Sequence, residues 1–182
     1  MSNDKALAVI DAEVTHLAPV MNTDQLHQQL VELKQFVEKN LRPDIDFGTI
    51  PGTPKPTLLK PGAEKMLRFF GLVVDLAILP TSKLDVMGGV IDIDVEGSVR
   101  SSNGRILGDV HANCNSEESR YYNARHPEPR KGRDGKEFTP KPQRIADQKN
   151  TIMKMADKRA WVAVALLYTM ASEIFTQDIE DI

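Results

Sequence analysis

The residues best suited to chemistry lie in two neighbouring strand-like segments. Segments 88–100 and 105–115 alternate apolar and polar residues, and the Asn-Gly step at 103–104 between them is a strong β-hairpin signal. With these two residues as the loop, Glu96 lies opposite His111. The polar side chains then share one face of the hairpin, which carries Asp92, Asp94, Glu96, Ser98, Asp109, His111 and Asn113.

Carboxylates beside an imidazole could hold a hard divalent cation, as in metal-dependent nucleases. The same alternation is also expected where an antiparallel sheet buries one face and exposes the other to solvent. In addition, all of these side chains come from one hairpin, whereas metal ligands usually converge from separate elements. The sequence contains no HExxH pair, phosphate-binding loop, dinucleotide fingerprint or G-x-S-x-G motif. Cys114 falls on the apolar hairpin face, as a small core residue would. We therefore expect neither catalysis nor a metal or other cofactor.

A long helix predicted from residue 145 to about residue 172 combines cations and aromatic rings on one side. At 100° per residue these side chains share a face, and they are Lys154, Lys158, Trp161 and Tyr168. Cations interleaved with aromatic rings suit a phosphate backbone with stacked bases. A subunit contact would also explain an exposed Trp161.

The apolar stripe of the same helix contains a charge. Arg159 lies within about 20° of Ile152 on the helical projection. A guanidinium there must pair with a carboxylate of the strands or reach a groove that holds an anion, and both readings stay open. From Trp161 onward the helix is apolar nearly all round, which predicts a second cover such as a neighbouring subunit.

Positive charge is concentrated in the basic loop, residues 120–144. This segment holds eight basic and three acidic residues, whereas the whole chain has a net charge of −3. Such asymmetry is typical of a polyanion-binding loop on an acidic body, although a solvated loop would look similar. The candidate phosphate contacts are Arg130, Lys131, Arg133 and Lys136, and the weaker candidates for base contacts are Tyr121 and Tyr122.

Composition limits the class of protein. The chain has 182 residues, 41% of them hydrophobic and 27% charged, which fits one globular domain with an arm. A single cysteine excludes an intrachain disulfide framework. The longest apolar run, 161–167, is too short to span a membrane, and the stretch MSNDKALAVIDAEV lacks the basic n-region and apolar h-region of a secretory signal. We expect a cytoplasmic protein.

The order of elements predicts an α+β fold. A small antiparallel sheet in a β-β-β-α core is covered by the long C-terminal helix, with helices at the N-terminus. Asn22 and Gln25 have capping-box spacing at the start of the second helix. We divide the chain into a helical arm, a Pro-rich connector, the core and an acidic tail, at 1–41, 42–60, 61–172 and 173–182.

This order resembles the Rad-fifty-two-like and essential-recombination-function-like superfamily of single-strand annealing proteins. The matching parts are the helix AEKMLRFFGL before the first strand, the hairpin at 88–115, and the step Lys158-Arg159-Ala160 in the last helix. The resemblance implies a ring or arc of subunits that anneals single-stranded DNA without ATP, in phage-type recombination. Lys158 and Arg159 match the basic pair that lines the DNA groove of that family.

Two departures accompany the resemblance. Val162 stands where the eukaryotic mediator has a further arginine, and residues 123–144 hold no cysteine for the zinc ribbon of some phage relatives. The expected partners are single-stranded DNA, further copies of the chain, and a phage exonuclease or a host single-strand-binding protein, all in a bacterial cytoplasm. Two alternatives remain: a phage factor that binds a host protein through the basic loop, and a metal-dependent nuclease that uses Asp94, Glu96, Asp109 and His111.

Overall fold

The computed structural model describes residues 19–50 and 53–176. Of the helical arm expected at 1–41, residues 1–18 fall outside these ranges. The elements of the described residues, in chain order, are α1 (Thr23–Asn40), β1 (Phe47–Gly48), β2 (Thr57–Leu58), α2 (Lys60–Phe69), β3 (Leu72–Ile78), β4 (Lys83–Asp85), β5 (Val90–Ser101), β6 (Ile106–Asn115), α3 (Ser119–Arg125), β7 (Arg130–Lys131), β8 (Glu137–Phe138), α4 (Ile145–Tyr168) and a 3-10 helix (Ala171–Glu173).

The main sheet is antiparallel and is built around β5. Strand β6 pairs along one edge of β5, while β3 and then β4 follow one another along the other edge. Residues 79–82 interrupt that second edge, where the backbone N–H of Leu79 and the hydroxyl of Ser82 both bond to the carbonyl of Asp94. The three predicted strands are present, and β4 is an additional short strand that the sequence analysis missed.

The hairpin register agrees with the alternation, but its loop is longer than two residues. Glu96 pairs with His111 as expected, whereas Arg100 pairs with Ile106. The loop therefore consists of residues 102–104, closed by a hydrogen bond from Ser101 N–H to the carbonyl of Arg105. One extra residue in β6, at Leu107, forms a bulge that restores the predicted register.

Helix α4 covers the inner face of the sheet, so the predicted α+β architecture is confirmed. Alternate residues of β5 are buried beneath the helix, among them Ile91, Ile93, Val95 and Val99. The N-terminal half of α4 packs with the first part of β5 and with α3, and its C-terminal half packs with α1 and α2. The helix thereby joins two adjoining parts of the core.

The second cover of α4 comes from the chain itself, which corrects the expectation that a neighbouring subunit supplies it. Helix α2 packs on the C-terminal half, and Phe175 is buried in the same cluster. The helix ends at Tyr168, earlier than predicted, and Thr176 then exchanges backbone hydrogen bonds with Pro56 and Leu58. Of the segment expected to be an acidic tail, Glu173 is exposed, whereas Phe175 is buried in the core and Thr176 is paired with the connector. Residues 177–182 lie outside the described part of the chain.

The Pro-rich connector contains a short pair of antiparallel strands. Strands β1 and β2 pair with each other, and the buried carboxylate of Asp46 accepts bonds from Arg42 N–H and from Lys65 Nζ. Burial raises the pKa of Asp46, but the hydrogen bond from Lys65 and the nearby cations outweigh it and lower that pKa overall. The carboxylate therefore stays charged and fastens the connector to α2.

The capping box of α1 is confirmed, because Asn22 and Gln25 each accept a hydrogen bond from the backbone of the other.

Across the described residues, no helix has the length and apolar character needed to cross a lipid bilayer.

Candidate nucleic-acid interface

One side of α4 presents the cations and ring that the sequence analysis selected. Lys154 is exposed, and Lys158 and Trp161, at i+4 and i+7, are partly buried on the same side of the helix. These three residues are called the cationic face of α4. Tyr168 lies at the C-terminal end of α4, where its hydroxyl is close to the backbone of Gly108 beside the β6 bulge.

Trp161 lines a groove between α4, the end of α2 and the start of β3. The groove has a volume of about 330 Å³ and is also lined by Arg68, Glu64 and the apolar Val73. A guanidinium and an indole ring that line the same groove are suited to a phosphate beside a stacked base. The sequence analysis missed Arg68, because only the packing of α2 on α4 brings it beside Trp161.

Arg159 is placed inside the protein and not on this face. Its side chain is 8% exposed, and its two terminal nitrogens donate to the two carboxylate oxygens of Glu118 at 2.7 and 2.9 Å. A third bond, of 2.6 Å, goes to the backbone carbonyl of Asn113. Of the two readings of Arg159, the structure supports the buried ion pair, with an acid that follows β6 and not one within a strand. It therefore contributes to joining α4, α3 and β6.

The two tyrosines of α3 differ in exposure. Tyr121 is 4% exposed in the core beside Cys114, so its ring is not available for stacking on a base. Tyr122 is 44% exposed, and its ring lies 4.5 Å from that of His126, centroid to centroid. Of this candidate pair, only Tyr122 lies at the surface.

The basic loop forms a small hairpin that we call the basic arm, residues 127–142. Its base is closed by a hydrogen bond of 2.9 Å from Gln143 N–H to the carbonyl of Ala124. Strands β7 and β8 pair with each other, and the tip turns through Gly135, whose φ is 78°. The four candidate cations of the arm are solvent-exposed: Arg130, Lys131, Arg133 and Lys136.

The arm also carries an exposed ring that the sequence analysis missed. The guanidinium carbon of Arg130 lies 5.3 Å from the ring centroid of Phe138, which is 47% exposed. Register pairing of β7 with β8 brings the two together. The Asp-Gly step at 134–135 is the hairpin signal that could have revealed this pair.

The outer face of the sheet, opposite α4, carries the carboxylates that had suggested a metal site. The amide nitrogen of Asn113 donates to Asp92 at 2.7 Å and to Asp94 at 2.8 Å. Asp94 accepts a further bond of 2.7 Å from Thr81. The bonds from Thr81 and Asn113 lower the pKa of Asp94. Among the described residues, no group of three or more acidic, His or Cys side chains has an arrangement that could hold a metal ion.

Cys114 is fully buried on the inner face, as the alternation predicted. Burial raises the pKa of its thiol to about 12. The thiol is therefore protonated at neutral pH and is not an activated nucleophile.

Comparisons of this chain with family models, with curated proteins and with solved structures gave no match. The resemblance to single-strand annealing proteins therefore remains a prediction.

Proposed function

We propose that this protein binds single-stranded DNA and anneals complementary strands without ATP, as an oligomer in phage-type recombination. The observation that carries the proposal is the placement of cations together with aromatic rings at two places. Lys154 and Lys158 share one side of α4 with Trp161, and the guanidinium of Arg130 lies over the ring of Phe138 in the basic arm. Phosphates and unstacked bases are the ligand that such pairs recognise together.

The distribution of charge supports the same proposal. The carboxylates of the sheet lie on its outer face, and the cationic face of α4 belongs to the helix that covers the inner face. A polyanion would be repelled from the first surface and attracted to the second. DNA would therefore bind on the helical side of the molecule.

The test is a fluorescence-anisotropy titration of a labelled strand of roughly 30 nucleotides at several salt concentrations, with chelator present. Replacing Lys154 and Lys158 together by Ala is expected to weaken binding and to reduce the slope of log K against log salt by about 1.4. Arg159 is left intact because its removal would disturb the core. The charge-matched control replaces two exposed lysines of α1, Lys34 and Lys39, and is expected to keep the wild-type slope.

Annealing is measured separately, with two complementary labelled strands, chelator and no nucleotide. The wild-type protein is expected to accelerate pairing, and the Lys154/Lys158 variant to be slower than the Lys34/Lys39 control. Absence of DNA binding at low salt would contradict the proposal. Binding without annealing would leave a single-strand-binding function only.

A further inference from the structure

The outer face of the sheet has no cover among the described residues. Helix α4 lies on the inner face, and the outward side chains of β3, β5 and β6 are exposed or half-buried. The register places six carboxylates there, Asp75, Asp85, Asp92, Asp94, Glu96 and Asp109, together with two cations, Lys83 and Arg100. These side chains give the face a net charge of −4.

The basic arm has the complementary charge. Between residues 130 and 136 it carries four cations and one carboxylate, a net charge of +3, and these cations are exposed. Its two short strands and the turn at Gly135 give a narrow ribbon. The arm and the outer face thus carry net charges of opposite sign.

The base of the arm lies on the helical side of the sheet. It is held to α3 by the hydrogen bond from Gln143 N–H to the carbonyl of Ala124, and to α4 by a hydrogen bond from the side-chain amide of Gln148 to that of Gln143. Helix α4 lies on the inner face of the sheet. Among the described residues, no ion pair joins the four exposed cations of the arm to the outer face of the same copy, so both surfaces are open to a second copy.

We propose that the outer face of the sheet is the docking surface for the basic arm of a second copy of this chain. The contact is heterologous: the arm of one copy meets the face of the next, so the same contact repeats into a ring or a filament. This goes beyond the proposed DNA-binding function, because it names the two surfaces that join the copies and needs no DNA.

Two charge-reversed variants test the contact. The arm variant carries Arg130→Glu and Arg133→Glu, and the face variant carries Glu96→Lys and Asp109→Lys. Asp94 and Asp75 are left intact, because they are already bonded to Asn113 and Arg100 within the chain. Neutral versions of both variants, with Gln for Arg and Glu and Asn for Asp, remove charge without adding any and serve as a second set.

The mass of each protein is measured by sedimentation velocity in about 50 mM salt, where charges are weakly screened, and again at about 1 M. The wild type is expected to assemble at low salt and to dissociate at high salt. Either reversed variant alone is expected to associate about a hundredfold more weakly, because like charges then face each other. The neutral variants are expected to be intermediate.

The decisive sample is an equimolar mixture of the two reversed variants. The acidic arm of one then meets the basic face of the other, and the unaltered arm meets the unaltered face, so assembly is expected to return. A wild type that stays monomeric at low salt would overturn the proposal, and so would variants that assemble like the wild type. A mixture that stays monomeric, while both variants unfold thermally like the wild type, would overturn it too. These samples contain no DNA, so failure of this contact is distinct from failure of DNA binding and annealing, which are measured on their own.

Discussion

At the scale of single residues, the Glu118–Arg159 ion pair joins α4 to the turn after β6. A guanidinium that is 8% exposed needs a partner, and Glu118 supplies both carboxylate oxygens. Burial raises the pKa of Glu118, but the hydrogen bonds from Arg159 and from Asn115 N–H outweigh it and lower that pKa overall. The pair is therefore ionised at neutral pH.

Replacing Glu118 by Gln is expected to lower the free energy of unfolding by about 3 kcal/mol at neutral pH, because Arg159 keeps its charge without a counter-charge. The pKa of Glu118 in the folded state is depressed below the unfolded-state pKa near 4.5. The stability that Glu118 contributes is therefore fully present above the unfolded-state pKa, and it is lost as the pH falls through the folded-state pKa. The difference between variant and wild type should therefore shrink below about pH 4. Urea unfolding of both proteins at several pH values measures this difference in the free energy of unfolding.

The neighbouring Glu117 provides the matched control. Its side chain is 62% exposed and pairs with Arg125, so Glu117→Gln is expected to cost less than about 1 kcal/mol. Equal losses of unfolding free energy for the two variants would show that burial of the Glu118–Arg159 pair does not increase its contribution to stability.

At the scale of elements, the β6 bulge sets the hairpin register. Gly108 has a φ of 149°, and a Cβ there would meet the hydroxyl of Tyr168 on α4. Gly104 in the loop has a φ of 84° with open space around it. A side chain at Gly108 would therefore meet both an unfavourable backbone conformation and helix α4, whereas a side chain at Gly104 would meet only the unfavourable backbone conformation.

Gly108→Ala is expected to cost about 3 kcal/mol through backbone strain and the Tyr168 contact, and Gly104→Ala about 1 kcal/mol through strain alone. Thermal unfolding measures both. Adding Tyr168→Phe should recover part of the loss at Gly108 and none at Gly104. Recovery at both positions would contradict the assigned contact.

Local periodicity explains which features the sequence predicts. The two-residue alternation of β5 and β6 specifies which residues face α4, so Glu96 and His111 pair as expected. The length of the hairpin loop is not specified in this way, because alternation does not show where an extra residue enters β6, and Tyr168, which lies against Gly108 beside the bulge, is distant in sequence. Burial of Arg159 is likewise predictable from helical spacing, but its partner Glu118 is not, since only the tertiary turn after β6 places it there.

At the scale of the whole molecule, the two proposals assign the basic arm to two acidic ligands. Phosphates of a DNA strand and the outer face of a neighbouring copy would both meet the exposed cations of residues 130–136. One arm cannot hold both at once. DNA binding by the arm should therefore weaken the contact between copies.

A strand of about ten nucleotides, within the range that one binding module covers, is too short to join many copies. Added to the wild type at low salt, it is expected to reduce the sedimenting mass toward that of a single copy. In the mixture of reversed variants, the acidic arm of one variant cannot bind DNA, so its contact with the lysine-bearing face persists while the other contact is lost. The short strand should therefore dissociate the mixture only as far as a dimer that contains one copy of each variant. Dissociation of both samples to single copies would show that DNA does not act by occupying the arm.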